Sequence, residues 1–296
     1  MQNKKNRLLP FIFCFSVGLS AFGQNETAPV PSVQSEPTTE KGVRITPIGG
    51  NWGLGFNAIE LVKNFSQFKD DFQIVQQTIY GKHFLGSPTD SYNGMKAIRA
   101  RFSVDNSRKV MLNSVIDNSL AVPDTNVFVT DRLTARTTNM TLGLGMDFRR
   151  GSGRFYGIYG GEIILSYTSG TNLYDYGNGM STGNQTPTTT TNFYSKKPSV
   201  AAIRNRVTYE KIDPTFGIGL NAIAGIEYFF APRSAVYLEF GLGLVYKDYK
   251  NTVRKYEAWD NVNSADITLT HIKPAGNELS VTSGIFRSSL NFLFYF

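Results

Sequence analysis

The chain is poor in the residues that redox chemistry, metal binding and nucleophilic catalysis use most often. Among 296 residues there are one cysteine and two histidines. The cysteine, Cys14, lies in a short apolar run and lacks the leucine and small residue that precede a lipoprotein cysteine. Beyond that run the chain can form no disulfide and no thiolate metal site. No His, Asp and Glu residues have ligand spacing either, so the sequence predicts no cofactor and no metal.

Long apolar runs are also missing. After residue 23 no stretch is continuously apolar over the roughly 18 residues that a membrane-spanning helix needs. We therefore expect no helical span. Basic residues outnumber acidic ones by 30 to 23. They do not cluster with aromatic residues, however, so nucleic acid is not a predicted partner.

The first 23 residues have the features of a cleaved signal peptide. Lys4, Lys5 and Arg7 precede an apolar run, and residues 21–23 have the small-x-small form of a cleavage site. The apolar run at 8–19 is too short for an uncleaved membrane anchor. Residues 24–46 are rich in Pro, Thr, Ser and Glu, which predicts a flexible periplasmic linker. The folded domain is expected to cover 47–296.

Alternation of apolar and polar residues dominates that domain. A period of two is typical of a strand with two different faces. In 137–149, for example, Met140, Leu142 and Leu144 oppose Asn139 and Gly143. Each alternating segment is long enough to cross a bilayer at a tilt, for which about 9–11 residues suffice. The segments are 51–59, 96–104, 109–118, 137–149, 154–168, 213–229, 234–248 and 282–296.

The predicted connections alternate between short turns and long loops. The turns are 105–108, 150–153 and 230–233; the loops are 60–94, 119–136, 169–212 and 249–281. Bacterial outer-membrane barrels have periplasmic turns and extracellular loops of these two lengths. The sequence therefore predicts an all-β fold, a transmembrane antiparallel up-and-down β-barrel of eight strands. A further hairpin hidden in 60–94 or 249–281 would make ten. A soluble lipocalin-like barrel is the alternative, disfavoured by the lipid-like outer face of all eight segments.

The inner faces of these segments collect charged residues of both signs. An eight-stranded barrel is only just wide enough to be filled by side chains, and buried charges persist there when they are paired. We therefore expect a plugged interior rather than an ion path or a wide channel. Glycines on the same face, such as Gly143 and Gly145, leave room for long neighbours. The predicted interior charge network consists of Arg99, Arg101, Arg149, Arg287, Asp147, Glu162, Glu227 and Glu239.

Aromatic residues mark the ends of the predicted strands. They are expected to form girdles at the two membrane interfaces. Phe292, Phe294 and Phe296 lie on the lipid face of the last strand. The other girdle candidates are Phe148, Phe155 and Tyr228 at the turn ends and Tyr167 and Tyr246 at the loop ends.

The long loops carry the remaining candidates for chemistry. Both histidines, His83 and His271, fall in predicted outer loops, where His83 with Asp90 and Ser91 could form a hydrolase site at the rim. Seven-residue spacing on a loop fixes no geometry, so we expect no enzyme and no catalytic residue. The low-complexity stretch 177–192 is expected to be mobile.

Two motifs resemble a known family. They are Phe-Ser-Val-Asp-Asn at 102–106, which leads into a basic strand, and Gly-Ile-Glu-Tyr-Phe-Phe-Ala-Pro at 225–232. Both resemble the small outer-membrane β-barrel family abundant in Bacteroidota, and the resemblance covers 47–296. It implies a location in the outer membrane of a Gram-negative bacterium and no known catalytic residues. It also implies that Phe292, Phe294 and Phe296 serve as a signal for the barrel-assembly machinery. The outer loops here are longer than the family's minimal pattern.

These observations lead to one main functional hypothesis and two alternatives. The main one is a non-enzymatic outer-membrane barrel with a structural, adhesion or surface-interaction role in its loops. Its expected partners are outer-membrane lipid and lipopolysaccharide, the barrel-assembly machinery and an extracellular ligand. The first alternative is a narrow channel for small or hydrophobic solutes, which needs an open lumen or a lateral gap. The second is the rim hydrolase.

Overall fold

A computed structural model describes residues 44–67, 74–86, 95–118, 126–195, 197–283 and 289–296. Strands dominate this part of the chain, as the alternating pattern predicts. The elements are β1 (Trp52–Asn57), α1 (Ala58–Gln67), β2 (Ile74–Leu85), β3 (Lys96–Ile116), β4 (Phe128–Ser152), β5 (Phe155–Asp175), β6 (Thr188–Asn192), β7 (Ser199–Ala202), β8 (Asn205–Ala231), β9 (Ser234–Tyr249), β10 (Thr252–Asp260), β11 (Ala265–Lys273), β12 (Gly276–Ser283) and β13 (Ser289–Tyr295).

Eight strands close into a ring in which every neighbouring pair is antiparallel. The order around the ring is β1, β2, β3, β4, β5, β8, β9 and β13, and β13 pairs with β1. The small β6–β7 hairpin lies outside this ring. The molecule is therefore an eight-stranded antiparallel up-and-down β-barrel, and the predicted fold class is confirmed.

The predicted count of eight is right, but two of the predicted strands are wrong. Segments 96–104 and 109–118 form one continuous strand, β3, so the predicted turn at 105–108 does not exist. Its residues instead pair in register with 136–139 of β4. The eighth strand is β2, which lies inside the predicted loop 60–94. The two errors cancel because the prediction divides one strand and omits another.

Turns and long connections still alternate between the two ends of the barrel. At the turn end, Gly153–Arg154 joins β4 to β5 and Pro232–Arg233 joins β8 to β9. Both turns agree with the prediction, and Gly153 adopts a positive φ of 65° that suits glycine. Residues 86–95 connect β2 to β3 at the same end. The opposite end, which we call the loop end, carries the longer connections.

Much of the sequence predicted as outer loop is strand. β10 continues beyond β9 and pairs with the first part of β8, while β11 pairs with β10. β12 then pairs with β9, in line with β13. The predicted loop 249–281 thus contains the suspected hairpin, which is β10–β11. This hairpin extends the last two walls of the ring at the loop end, and it does not add two strands to the ring.

The two faces of the barrel have opposite chemistry. Outward positions of the ring are apolar and exposed, and the inward neighbours of the same strands are buried. On β5 the outward residues run from Phe155 to Tyr167, about 40 Å along the strand at a rise near 3.3 Å. At a tilt of about 40° this corresponds to roughly 30 Å along the barrel axis, the thickness of a bilayer core. The barrel is therefore of the transmembrane type. Among the described residues, no helix is long and apolar enough to cross a membrane.

The turn end of the lumen is closed by an apolar core. Phe84, Phe229, Leu293 and Tyr295 pack there with Ile45, which precedes the first strand. The remaining members of this core are Tyr80, Ala97, Ile158, Ala235 and Tyr237. The backbone amide of Arg233 donates to the Ile45 carbonyl at 3.1 Å, so Ile45 is fixed to the turn end.

Among the described residues, the ladder between the first and last strands is confined to the turn end. β1 pairs with β13 from Gly53 to Asn57 and then gives way to α1. Asn57 causes the change, because its side-chain oxygen accepts the Glu60 amide at 3.1 Å and caps the helix. α1 contacts β2 and β13. Beyond that point β12 pairs with β9 alone among the described residues.

Glycines on the inner face make room for charged neighbours, as predicted. A Cβ at Gly143 of β4 would lie 2.9 Å from Cδ and Oε2 of Glu162 on β5. A Cβ at Gly179, by contrast, would meet nothing within 4 Å.

We expect Gly143→Ala to lower the free energy of unfolding by about 1–3 kcal/mol, because the new methyl group must displace the Glu162 carboxylate. The urea midpoint of the barrel in lipid vesicles measures this, with heat-modifiable gel mobility as the assay of folding. Gly179→Ala is the control and should leave the midpoint unchanged. Equal midpoints for the two variants would contradict the steric argument.

Candidate functional site

Charged side chains from six strands meet in the middle of the lumen. We call these residues the interior charge cluster. It contains four cations and four carboxylates, so its formal charges balance. The members are Lys82 on β2, Arg99 and Arg101 on β3, Asp147 and Arg149 on β4, Glu162 on β5, Glu227 on β8 and Glu239 on β9.

Arg99 is the centre of this cluster and is only 1% exposed. Its Nη1 and Nη2 donate to Oε2 and Oε1 of Glu239 at 3.0 and 3.3 Å. Nη1 also donates to Oδ1 of Asp147 at 3.2 Å, and Nε lies 3.4 Å from Oε2 of Glu162. One guanidinium thus holds carboxylates from three other strands, one of them on the far side of the ring.

Lys82 and Arg101 complete the part of the cluster around Arg99. The Lys82 ammonium lies 2.7 Å from Oδ2 of Asp147 and over the ring of Tyr237, 4.3 Å from its centroid. Arg101 donates to Glu162, which also accepts from the side-chain amide of Asn221 at 3.1 Å. Each carboxylate in this part therefore has at least one cationic partner. That arrangement is what makes buried charges tolerable.

A second ion pair lies nearer the turn end. Nη2 of Arg149 is 2.8 Å from Oε2 of Glu227, and the Tyr295 hydroxyl donates to the same carboxylate. The Arg149 guanidinium is also placed over three aromatic rings, at 4.6 to 5.3 Å from the centroids of Tyr156, Phe84 and Phe229. Cation–π contacts of this kind stabilise a desolvated guanidinium. The pair thus joins the charge cluster to the apolar core below it.

The loop-end half of the lumen contains a polar cavity of about 520 Å³. Arg101, Glu239 and Tyr80 form part of its lining at the level of the charge cluster, and α1 contributes Ile59, Glu60 and Lys63. Hydroxyl and amide groups supply much of the remaining lining, including Thr78, Ser103, Asn139, Ser166 and Asn221. We call this cavity the vestibule. Charged residues of the cluster, Arg101 and Glu239, border the inner end of the vestibule.

The structure brings together every predicted member of the interior charge network that it describes. Arg287 lies outside the described residues. The prediction omits Lys82, because this residue belongs to a strand that the sequence presents as loop. The usable signal is the stretch Ile79–Leu85, where aromatic and β-branched residues surround a glycine. Both faces of that stretch carry apolar residues, so the alternation is weak.

The long connection between β5 and β8 is an ordered structure, and the expectation of a mobile segment at 177–192 is wrong. Asp131 of β4, which is 0% exposed, holds it. Its carboxylate accepts the amides of Gly177 and Thr190 at 2.9 and 2.7 Å and the Thr190 hydroxyl at 2.9 Å. Asn178 donates to the carbonyls of Ile116 and Thr188 at 2.8 and 2.9 Å. The low-complexity threonines thereby form strand β6.

A second set of contacts ties β8 and β10 to the same region. Arg206 pairs with Glu257 at 2.9 Å and lies over the ring of Tyr176, 4.6 Å from its centroid. The Tyr176 hydroxyl donates to the Val207 carbonyl at 2.8 Å. Burial raises the pKa of Tyr176 above its ordinary value, so the phenol remains a donor at neutral pH. We call the structure formed by the loop-end parts of β3, β4, β5, β8, β10 and β11 with the β6–β7 hairpin the head.

The predicted hydrolase constellation is not assembled. His83 does not lie in an outer loop but on β2 near the turn end, where its ring packs at a tilt against Trp52, with the ring centroids 4.4 Å apart. Asp90 and Ser91 lie outside the described residues. His271 is exposed on β11, far along the chain in the head. In the described ranges no three His, Cys, Asp or Glu side chains are grouped as a metal site would require.

The terminal phenylalanines lie where the alternation places them. Phe292, Phe294 and Phe296 point outward at the turn end, while Asn291 and Leu293 are buried. At this end the ring centroids of Phe155 and Tyr228 are 4.6 Å apart, and those of Phe148 and Tyr159 are 5.5 Å apart. Tyr167 contacts Phe216 at 5.3 Å near the loop end of the apolar band. Two aromatic girdles thus border the apolar face. The role of the phenylalanines as an assembly signal stays a prediction.

Comparison with known proteins gives one structural similarity. No family model matches the sequence, and no curated protein matches it either. A major outer membrane protein from Thermus thermophilus is similar in structure, with a TM-score of 0.36 and 12% sequence identity. The aligned region covers 83% of this chain and 98% of that one.

We expect Asp147→Asn to lower the free energy of unfolding by about 3–5 kcal/mol, because Lys82 and Arg99 then lose a buried counter-charge. Urea unfolding in lipid vesicles, followed by tryptophan fluorescence, measures the change. Asp248→Asn is the matched control. It removes the same charge from a half-exposed pair with Lys250, for which a loss of about 0–1 kcal/mol is expected. Similar losses for the two variants would show that burial does not govern the cluster.

Proposed function

We propose that the protein is a non-enzymatic outer-membrane barrel that presents the head as a surface for interaction outside the cell. The observation that carries this proposal is the combination of a lumen blocked by paired charges with an ordered structure beyond the apolar band. In this orientation the turn end faces the periplasm and the loop end faces the exterior, as short turns and long loops do in bacterial barrels.

The blocked lumen is the argument against transport. Arg99 bridges β3 to β9 through Glu239, and Lys82 approaches Tyr237 from another wall. The apolar core around Phe84 and Leu293 closes the turn end behind them. A solute that enters the vestibule would have to break several buried ion pairs to pass further. Each broken pair leaves an uncompensated charge, which is strongly unfavourable.

The ordered head is the argument for surface interaction. Asp131 and Asn178 use buried hydrogen bonds to hold the β6–β7 hairpin against β3 and β4. The nine residues of β11 are all exposed. A binding surface loses less entropy when its shape is already fixed before the partner arrives. The protein therefore presents an ordered surface that includes 177–192, where the sequence predicts a mobile segment.

We expect the wild-type protein to show no stable porin-sized conductance in planar bilayers. Arg99→Ser/Glu239→Ser should also show no stable porin-sized conductance, because the apolar core around Phe84 and Leu293 still closes the turn end. Heat-modifiable mobility confirms that the variant is folded, and Asp248→Ser/Lys250→Ser outside the lumen is the control. Stable conductance of the wild type would contradict the plug and favour the channel hypothesis.

We expect Asp131→Ala to release the β6–β7 hairpin while leaving the barrel closed. The reason is that three hydrogen bonds to one buried carboxylate are lost. Chymotrypsin should then cut after Phe193, which is buried while the hairpin is in place, and amide exchange at 188–192 should rise at least tenfold. Asp266→Ala, on the exposed strand β11, should change neither readout. Unaltered cleavage in Asp131→Ala would show that the hairpin is held by other contacts.

A further inference from the structure

An apolar groove of about 520 Å³ lies on the outer face of the barrel, at the loop end of the apolar band. Its walls include Phe102, Met140, Leu165, Tyr167, Phe216 and Tyr246. The groove extends from β3 across β4, β5 and β8 to β9. Four spacings between neighbouring strands give it a width of about 19 Å. Because this face meets lipid, hydrocarbon is the expected content of the groove.

A row of basic residues lies beyond the groove on the same outer face. Arg108 of β3 is directly opposite Arg136 of β4. On the next two strands, Thr171 of β5 and then Lys211 of β8 continue the row. The three basic side chains are exposed. The row continues with Val253 and Ile272, so its described members include three cations and no acid.

The height of the row matches the headgroups of a membrane leaflet. Arg136 precedes Met140 by four positions on β4, which is about 13 Å along the strand and about 10 Å along the barrel axis at a 40° tilt. The headgroup layer extends roughly 5–8 Å beyond the hydrocarbon core on each side. A guanidinium on a flexible stem reaches back into that layer. Between the groove and the basic row lie the polar residues Asn106, Thr138 and Ser169.

We propose that this surface binds the phosphorylated, multiply acylated glycolipid of the outer leaflet, the lipid A part of lipopolysaccharide. Acyl chains occupy the groove, and phosphate groups contact Arg108, Arg136 and Lys211. Arginine suits this task because its planar fork donates two hydrogen bonds to one phosphate.

The dimensions favour this lipid over a single phospholipid. Arg108 and Lys211 are separated by three strand spacings, about 14 Å, which is more than one phosphate can bridge. The groove is likewise wider than one acyl chain. Acidic residues lie outside the row: Asp175 is opposite Arg132, and Asp248, at the β9 edge of the groove, pairs with Lys250 at 2.7 Å. The proposal rests on the outer-membrane location given above.

Purified lipid A titrated into the folded protein in a zwitterionic detergent tests the site, with bound lipid counted by native mass spectrometry. Arg108→Gln/Arg136→Gln should weaken the apparent dissociation constant at least tenfold. The matched control is Lys96→Gln/Arg150→Gln, which removes two outward cations at the turn end and should change it less than twofold. Unchanged binding by the first variant, or equal weakening by both, would overturn the proposal.

Two further comparisons identify the lipid and the groove. Dephosphorylated lipid A should bind wild type and Arg108→Gln/Arg136→Gln equally, and phosphatidylglycerol should bind at least tenfold more weakly than lipid A. Equal affinity for phosphatidylglycerol would reject lipid A as the ligand. Ile218→Trp fills the groove and should weaken binding severalfold, whereas Leu220→Trp, one outward position away and outside the groove, should not.

Heat-modifiable mobility verifies the folding of every variant. The assay is independent of the proposed role of the head, because binding in detergent requires no partner outside the cell. Membrane fractionation tests the outer-membrane location separately. A protein that binds lipid A in detergent but fractionates elsewhere would contradict the proposed function and leave the lipid site intact.

Discussion

The buried guanidinium of Arg99 is the contact on which the rest of the barrel depends. A cation in a lumen this narrow must have counter-charges within reach, and they come from β4, β5 and β9. Those carboxylates require glycines opposite them, such as Gly143, and further cations, such as Lys82. The same set of charges fills the middle of the lumen. Interior chemistry and wall composition are therefore consequences of one requirement, charge balance in a narrow lumen.

The sequence predicted the faces of the strands better than their limits. Outward residues such as Ile98 and Leu142 and inward residues such as Asp147 were assigned correctly, because a period of two leaves no freedom once one residue is placed. The predicted ends of the strands were wrong where the local composition is misleading. Residues 105–108 have the polar character of a turn, yet their strand continues because the outer face beyond the membrane is polar. β2 escaped prediction because it has an apolar residue on each face near the turn end.

The interior cluster was predictable in its members but not in its pairing. Alternation shows that Arg99 and Glu239 point inward, but no rule of the sequence says that they meet across the ring. Such a contact depends on how the strands are staggered, which is a property of the closed barrel. For the β6–β7 hairpin, the sequence did not predict the ordered structure at all. A run of threonines looks unable to fold when read alone, but Asp131, buried some 60 positions earlier, supplies the acceptors that fix it.

The shortness of β1 has a mechanical consequence. The ladder between the first and last strands covers only Gly53–Asn57 against 291–295, whereas the β3–β4 ladder covers the whole of β3. The β1–β2 ladder is equally short, so under an outward pull the ring should part beside β1 before the longer ladders yield. The ring of Phe56 packs against Phe292 and Phe294 across the β1–β13 ladder. The closure of the ring is therefore among its weakest joints.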